Sequence, residues 1–272
     1  MDGEGRASNN PGLIKTGAKA MGVLIVTGGS RGIGAEISRL AGARGWSVCV
    51  NYAAAEEAAK AVVAEIEGAG GRATCVQGDV ASEADVERMF QHAADQLGPV
   101  TGLVNNAGIM GSRGPVDEFD GELTRRMLDV NVIGPFLCCK AAIRTMAKRH
   151  GGDGGAIVNI SSSSSKHGGV GSYIDFAASK SAVDTLTTAA AKEQAKEGIR
   201  INCVRPGFIM TEGNRAWMED HPGWAEAAIE QTPIGRAGEL EDVATATLWL
   251  LSGEAKFVTG AILDVSGGFV TP

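Results

Sequence analysis

The chain has 272 residues, of which 44% are hydrophobic and 21% charged, a balance that suits one large α/β domain. Its formal net charge is −7 and it has no long run of lysine and arginine, which argues against a protein that binds nucleic acid through a basic surface. No apolar run reaches the length of a membrane span, and no Cys-x-x-Cys or Cys/His cluster of a metal site is present in the sequence.

The number of cysteines is odd, at five, and Cys49, Cys75 and Cys203 lie within apolar runs, where small buried side chains are expected. Such thiols fit a reducing compartment, so we expect a cytoplasmic protein. Residues 1–20 are rich in glycine, asparagine, alanine and lysine and lack the apolar core of a signal peptide. We expect a flexible tail over 1–20 and a single domain over 21–272.

Short apolar, β-branched runs alternate along the chain with segments of helical periodicity. The predicted strands are 22–27, 47–51, 73–77, 102–105, 156–160, 199–204 and 261–265. The predicted helices are 32–44, 56–68, 83–97, 121–149, 173–196 and 240–252. Continuous apolar strands that alternate with helices predict a parallel sheet covered on both faces. The expected fold is therefore a Rossmann-type, doubly wound, three-layer α/β sandwich.

One long irregular stretch, 211–233, precedes the last helix. A segment of this kind predicts a lid over a substrate site. Trp217 and Trp224 are expected to close over substrate, with Trp217 in the lining of the site, or else to pack on a neighbouring subunit. The lid is aromatic with few charges, which disfavours a highly anionic substrate. His167 and His221 are expected on loop surfaces or in the pocket lining.

The first predicted strand runs into a glycine-rich loop, Thr27-Gly28-Gly29-Ser30-Arg31-Gly32-Ile33-Gly34. Glycines allow a tight turn and a close approach of backbone N–H groups to a pyrophosphate, and the helix that follows directs its positive end at the phosphates. A loop that follows a strand and opens a helix has the context of a dinucleotide site. Cofactor contacts are expected from Thr27, Gly28, Ser30, Arg31, Gly32, Ile33 and Gly34.

The second strand ends at Asn51-Tyr52 without the Asp or Glu that usually meets a free ribose 2′-hydroxyl. Asn51 is expected beside the cofactor. Arg31 is placed to pair with a 2′-phosphate, because a guanidinium fork suits phosphate oxygens. NADP is therefore expected in preference to NAD, the alternative being that Arg31 is merely solvated.

From about residue 21 to 270 the chain resembles the short-chain dehydrogenase/reductase family, whose motifs occur here in order. The 27–34 loop is similar to its cofactor motif, Asp79-Val80 to the pair that holds the adenine, Asn105-Asn106-Ala107-Gly108 to its turn beside the cofactor, and Pro206-Gly207 with Thr211 to the segment that contacts the nicotinamide carboxamide. The resemblance implies cofactor contacts from Asp79, Val80, Asn106, Ala107, Gly108, Lys180, Pro206, Gly207 and Thr211.

The resemblance also implies an Asn-Ser-Tyr-Lys tetrad that moves a hydride between nicotinamide and a carbonyl carbon. The serine holds the substrate oxygen, the tyrosine transfers the proton with its pKa lowered by the lysine ammonium, and the asparagine supports a relaying water. Asn131 and Lys180 match this pattern. Ser162 is the expected serine, at the end of the fifth strand, and Ser163 is the alternative because it keeps the family's spacing to position 176.

At position 176, where the family has tyrosine, the chain has Phe176, one helical turn before Lys180. Three interpretations are open: a deliberate Tyr→Phe change that disables the enzyme, a natural member that binds cofactor without ordinary reduction, or an acid located elsewhere. The first is favoured because the other motifs are intact. Tyr173 lies about 10 Å along the helix from Lys180 and is expected to line the substrate pocket. Asp175 is expected to meet substrate or to cap the helix.

The sequence thus predicts an NADP-dependent oxidoreductase for a small or medium alcohol or carbonyl substrate, without a metal and impaired at Phe176. The alternatives are a cofactor-binding pseudoenzyme and a redox-neutral enzyme, such as a dehydratase or epimerase. Helices 121–149 and 173–196 and the last strand region, 261–269, correspond to the family's usual interfaces. They predict a homotetramer, with a dimer as the second choice.

Overall fold

The computed structural model describes residues 21–169 and 173–269, so the expected tail over 1–20 lies outside the described residues. Seven parallel strands form one sheet in the order β3-β2-β1-β4-β5-β6-β7. The strands are β1 Val23–Val26, β2 Ser47–Tyr52, β3 Arg72–Gln77, β4 Val100–Asn105, β5 Gly155–Ile160, β6 Ile199–Pro206 and β7 Ile262–Val265.

In the part of the chain that the structure describes, ten α-helices connect the strands or follow them. They are α1 Gly32–Ala43, α2 Glu56–Gly68, α3 Glu83–Leu97, α4 Gly121–Leu128, α5 Gly134–Met146, α6 Ser164–His167, α7 Ile174–Gln194, α8 Glu212–Asp220, α9 Trp224–Glu230 and α10 Leu240–Leu251. Within the described residues, no helix is long and apolar enough to cross a membrane.

Alternate side chains of each strand enter two separate cores. Leu24 and Val26 of β1 pack in the core under α1, α2 and α10, whereas Val23 and Ile25 pack in the core under α3, α5 and α7. This alternation follows from the two-residue period of a strand. Because both faces of the sheet are covered, its central strands are continuous apolar runs. The predicted three-layer, doubly wound fold is confirmed.

The predicted helix 121–149 is wrong in one respect, because it is two helices joined by a π-helical turn over Asp129–Ile133. The N–H of Gly134 donates to the carbonyl of Asp129, five residues earlier. Such single π turns widen a helix locally and are frequent at functional sites. Asn131 stands in the middle of this turn.

The region predicted to be a lid, 211–233, is less irregular than expected, since it forms the two short helices α8 and α9. Thr211 caps α8, and its hydroxyl accepts the N–H of Asn214 at 3.1 Å. Neither helix has more than nine residues. The chain order reverses between β1 and β4, so the crevice at the carboxyl ends of these strands is the expected ligand position in such a sheet.

Candidate active site

The loops that follow β1 and β4 are tied to one another by Thr27 and Asn106. The Thr27 hydroxyl accepts the N–H groups of Asn106 and Ala107, both at 3.0 Å. In return, the Asn106 Nδ2 donates to the carbonyls of Thr27 at 3.0 Å and Gly28 at 3.1 Å. These reciprocal hydrogen bonds form a clamp between the two loops. Gly34 lies against this clamp, where an added Cβ would stand 2.4 Å from Asn106 Nδ2. The clamp fixes one wall of a cleft of about 420 Å³.

Many of the residues expected to bind the cofactor line this cleft. They are Gly28, Ser30, Arg31, Ile33, Asn51, Asp79, Val80, Asn106, Ala107, Gly108 and Thr211. Thr27 and Gly34 support the wall of the cleft through their contacts with Asn106. Gly32, Lys180, Pro206 and Gly207 are not part of the lining of this cleft as far as the structure describes it.

The start of α1 has room for a phosphate group. Gly32, its first residue, has φ +53°, and a Cβ built there would meet no atom within 4 Å. The first N–H groups of a helix have no partner inside the helix and attract an anion. A side chain in that space would obstruct a pyrophosphate, so the loop fits a dinucleotide.

Asn51 lies in the wall of the cleft, although its side chain already makes hydrogen bonds to the backbone. Its Oδ1 accepts the N–H of Gly28 at 3.2 Å and its Nδ2 donates to the carbonyl of Gly78 at 3.0 Å. It is 2% exposed. Asn51 therefore holds three segments of the wall together, which is a role that its spacing did not reveal.

The far end of the cleft is lined by Tyr52 and three alanines, with Arg31 exposed at its rim. Asp79 is the sole carboxylate among the described lining residues, and it forms an ion pair with Arg126 at 2.8 Å. No acid at the end of β2 is therefore free to accept a ribose 2′-hydroxyl within the described lining. Arg126 was not recognised in the sequence, since its partner lies 47 positions earlier in the chain.

Beyond the cleft, β6 ends at Pro206, and Gly207 begins the segment that leads to Thr211. The Gly207 N–H donates to the carbonyl of Val265 at 3.0 Å. A Cβ at position 207 would stand 2.8 Å from the Cα of Ser266, so the two strand ends are in close contact. This contact fixes the start of the segment that leads to α8.

Lys180 and Phe176 lie side by side on α7, as their spacing predicted. The Lys180 ammonium is 5.5 Å from the centre of the Phe176 ring and donates to the carbonyl of Ile160 at 3.0 Å. The side chain is buried, and burial lowers the pKa of Lys180 to about 8. An ammonium placed so would stabilise a negative oxygen next to it.

Asn131 is fully buried and holds the backbone that follows β4. Its Oδ1 accepts the N–H of Ile109, and its Nδ2 donates to the carbonyl of Ile109, each at 2.9 Å. A Cβ on Gly108 would approach Asn131 Oδ1 to 3.3 Å and Lys180 Nζ to 3.5 Å. The Asn-Asn-Ala-Gly turn therefore passes close to both Asn131 and Lys180.

Two observations separate the candidate serines. The backbone N–H of Ser163 donates to Pro206 at 2.9 Å and its side chain is buried, whereas Ser162 is partly exposed. The Ser162 hydroxyl oxygen accepts two hydrogen bonds from Ser164, from its N–H at 3.2 Å and from its hydroxyl at 3.0 Å. The proton of Ser162 then remains available to a substrate oxygen. The geometry thus favours Ser162 over Ser163.

Asp175 is a buried carboxylate that joins α7 to the loop after β4. Its Oδ2 accepts the N–H of Ser112 at 2.9 Å and the hydroxyl of Thr124 at 3.0 Å, while its Oδ1 accepts the N–H of Phe176 at 2.7 Å. It therefore accepts a donor in the first turn of α7, although the N-cap position of this helix is Tyr173 and no side chain caps it. Its anchoring of the loop could not be read from local sequence.

Arg113, which the sequence analysis did not single out, contacts both Tyr173 and Trp217. The Arg113 guanidinium carbon is 3.5 Å from the centre of the Trp217 ring and 5.0 Å from that of Tyr173. On its other side, Trp217 stacks on His221 at 3.4 Å. Trp224 packs elsewhere, edge to face with Phe208 at 5.1 Å.

The family model described as Enoyl-(Acyl carrier protein) reductase matches residues 28–270, nearly all of the described chain. The uncharacterized oxidoreductase YgfF of Escherichia coli K12 is 46% identical over 248 residues, which cover 91% of this chain and 100% of that protein.

The chain belongs to the short-chain dehydrogenase/reductase family.

Two solved structures show the same relationship. A dehydrogenase/reductase from Sinorhizobium meliloti 1021 superposes with a TM-score of 0.86 at 35% identity, covering 93% of this chain and 97% of that one. A blue fluorescent protein from a metagenomic library, solved in complex with NADPH, has a TM-score of 0.83 at 38% identity, with 92% and 98% covered. This member of the short-chain dehydrogenase/reductase family is therefore an oxidoreductase of the class that interconverts alcohol and carbonyl groups.

Proposed function

We propose that this short-chain dehydrogenase/reductase uses NADP to move a hydride to or from a small or medium alcohol or carbonyl substrate, and that Phe176 disables its proton transfer. One observation carries the proposal: the Phe176 ring lies 5.5 Å from the Lys180 ammonium, where the resemblance places a phenol. The domain extends over 21–272, with the lid at 211–233 over the substrate.

The residues present fit a dinucleotide. The glycine loop and the start of α1 would hold the pyrophosphate, Asp79 and Val80 the adenine, and Lys180 the nicotinamide ribose. When bound, the cofactor accepts or supplies the hydride at its nicotinamide ring. The proposal of NADP over NAD rests on exposed Arg31 and on the cleft end that has no free carboxylate. The NADPH complex of the metagenomic relative supports it.

Each remaining step belongs to a side chain of the protein. Ser162 donates its hydroxyl proton to the substrate oxygen, because its own oxygen is occupied by Ser164. Lys180 supplies positive charge next to that oxygen from a buried position. A phenol at position 176 would pass a proton to or from the substrate oxygen, beside the Lys180 ammonium. Phe176 keeps the ring and has no proton to pass, so the reaction lacks its acid.

The substitution Phe176→Tyr tests this proposal. A general acid contributes on the order of 10²- to 10⁴-fold in rate, so turnover is expected to rise by at least about 10²-fold with a panel of ketones and secondary alcohols. NADPH affinity is expected to stay the same, because the ring shape is retained, and to exceed NADH affinity. Turnover is measured by absorbance of the reduced nicotinamide, and affinity by calorimetric titration.

Phe136→Tyr is the matched control, since it adds the same hydroxyl to an exposed ring on α5. It is expected to leave turnover unchanged. If Phe176→Tyr produced no gain with any substrate while NADPH still bound, a cofactor-binding pseudoenzyme would replace the disabled reductase. Products formed without net change of the bound cofactor would instead identify a redox-neutral dehydratase or epimerase. Tighter binding of NADH than of NADPH would overturn the choice of cofactor.

Two further proposals concern the molecule in the cell. All five cysteines are free thiols, which supports a reducing, cytoplasmic location. A homotetramer remains the proposed assembly, because apolar side chains such as Ile133 and Phe136 are exposed on the helices that the family pairs between subunits.

A further inference from the structure

The mouth of the site carries a cation that the proposed hydride transfer does not use. Arg113 belongs to the loop after β4 and is held between the rings of Tyr173 and Trp217. Within the described residues its guanidinium has no ion pair and no side-chain hydrogen bond, whereas Arg126 on α4 pairs with Asp79. The Arg113 side chain is exposed, so its guanidinium is accessible to a ligand.

We infer that Arg113 binds a carboxylate, or an equivalent anionic group, at the end of the substrate remote from the reacting carbon. This inference rests on the proposed function, since it describes the substrate of the same site. It revises the expectation that a lid with few charges disfavours a highly anionic substrate, because that expectation considered the lid sequence alone and not the loop that carries Arg113.

The stacking leaves the guanidinium able to bind an anion. Trp217 covers one face of the planar group at 3.5 Å, so its N–H donors point outward in the plane. A guanidinium edge presents two parallel donors that match the two oxygens of a carboxylate. Stacking on an aromatic ring also reduces the freedom that a long side chain loses when it binds a ligand. The group is therefore held in a binding-competent shape.

A second polar group at the same place lacks a partner. The indole Nε1–H of Trp217 is buried and has no acceptor among the described residues. A buried donor without a partner costs on the order of 1–3 kcal/mol, and an anionic ligand supplies acceptor oxygens. The unpaired cation and the unpaired N–H both require the same kind of atom.

The base of the loop is fixed, so Arg113 is not free to move away. The neighbouring Ser112 donates its N–H to the buried carboxylate of Asp175, which the hydroxyl of Thr124 also contacts. Asp175 is next to Phe176 on α7. Tyr173, which contacts the guanidinium, stands three residues before Phe176. The Arg113 side chain and the reacting residues therefore both adjoin the N-terminal turns of α7.

The spacing limits the substrate class. Tyr173 and Lys180 are separated by about 10 Å along α7, which is longer than the reach of an α-oxo acid. The inference is therefore an oxo acid or hydroxy acid whose carboxylate lies several carbon atoms from the carbonyl or alcohol carbon.

The test uses the full chain with Phe176 in place and NADPH bound, so that binding is measured without turnover. Calorimetry compares 6-oxoheptanoate with its methyl ester, which has the same ketone and no charge. The acid is expected to bind at least about tenfold more tightly, the ratio that one charge-assisted hydrogen-bonded contact supports. Arg113→Gln is expected to make the affinities for the acid and the ester equal. Arg113→Lys is expected to keep part of the preference for the acid, because lysine retains the positive charge but not the planar pair of donors.

Arg215→Gln is the matched control, since Arg215 is exposed on α8 and the change in net charge is the same. It is expected to leave the ratio unchanged, and both glutamine variants are expected to keep the NADPH affinity and the far-ultraviolet circular dichroism of the parent chain. Equal affinity for acid and ester, no binding of the acid, or a ratio that survives Arg113→Gln would overturn the anion site. Loss of NADPH binding by the parent chain would instead contradict the proposed function.

Discussion

Lys180 holds its charge at a place where burial makes a charge unfavourable. The pKa of its ammonium falls from 10.5 to about 8, mainly because the group leaves water, and its nearest polar contact is a neutral carbonyl. Below pH 8 the lysine is protonated in both the folded and the unfolded chain, and the folded state bears the full cost of the buried charge. Between pH 8 and 10.5 only the unfolded chain keeps the proton, so this residue's contribution to stability rises with pH in that window.

The substitution Lys180→Met is expected to remove this rise. The free energy of unfolding of the parent, relative to that of the variant, should therefore increase by on the order of 3 kcal/mol from pH 7 to pH 10. Urea unfolding at several pH values measures it, and taking the difference cancels other groups that titrate in this range. A control, Lys192→Met near the end of α7, is expected to show no such change. A parent-to-variant difference that is the same at pH 7 and pH 10 would contradict the lowered pKa of Lys180.

At the scale of elements, the turn between β1 and α1 depends on a close approach that admits no side chain. A Cβ at Gly34 would stand 2.4 Å from both Asn106 Nδ2 and the carbonyl oxygen of Gly28. Gly34→Ala is therefore expected to displace the Asn106 clamp, to cost about 1–3 kcal/mol of unfolding free energy and to weaken NADPH binding. Chemical denaturation and cofactor titration measure the two effects.

Gly68→Ala provides the comparison, because Gly68 ends α2 and a Cβ there would meet no atom within 4 Å. It is expected to stabilise the protein by up to about 1 kcal/mol, since alanine loses less backbone freedom in a helix, and to leave NADPH binding unchanged. The interpretation of the clamp fails if the two alanine variants behave alike.

The elements differ in how far local sequence can predict them. The sheet was predictable because strands buried on both faces are apolar at every position, and the glycine loop because its turn needs glycines. The π-helical turn at Asp129–Ile133 was not, since the apolar residues continue across it in a nearly helical rhythm. Arg113 and Asp175 were placed in the site by contacts with residues 51 to 104 positions away, and no local pattern records such contacts.

At the scale of the whole molecule, two separate apolar surfaces are left exposed. On the helical face, Ile133 is 46% and Phe136 50% exposed beside an apolar groove between α5 and α7. At the sheet edge, β7 pairs only with β6 among the described strands, near the fully exposed Phe257. Two unrelated surfaces of this kind suit two different two-fold axes, and two such axes generate a tetramer.

Phe136→Glu is expected to break the interface at the α5–α7 surface and to leave the interface at the β7 edge of the sheet intact. A two-fold interface places the same residue on both subunits near its axis, so one substitution introduces a pair of charges into an apolar contact. Light scattering at micromolar concentration should then show four times the chain mass of 27.9 kDa for the parent and half of that for the variant. Val116→Glu, at an exposed position away from both surfaces, is expected to remain tetrameric. A monomeric parent chain would refute the assembly, and a tetrameric Phe136→Glu variant would place its interface elsewhere on the molecule.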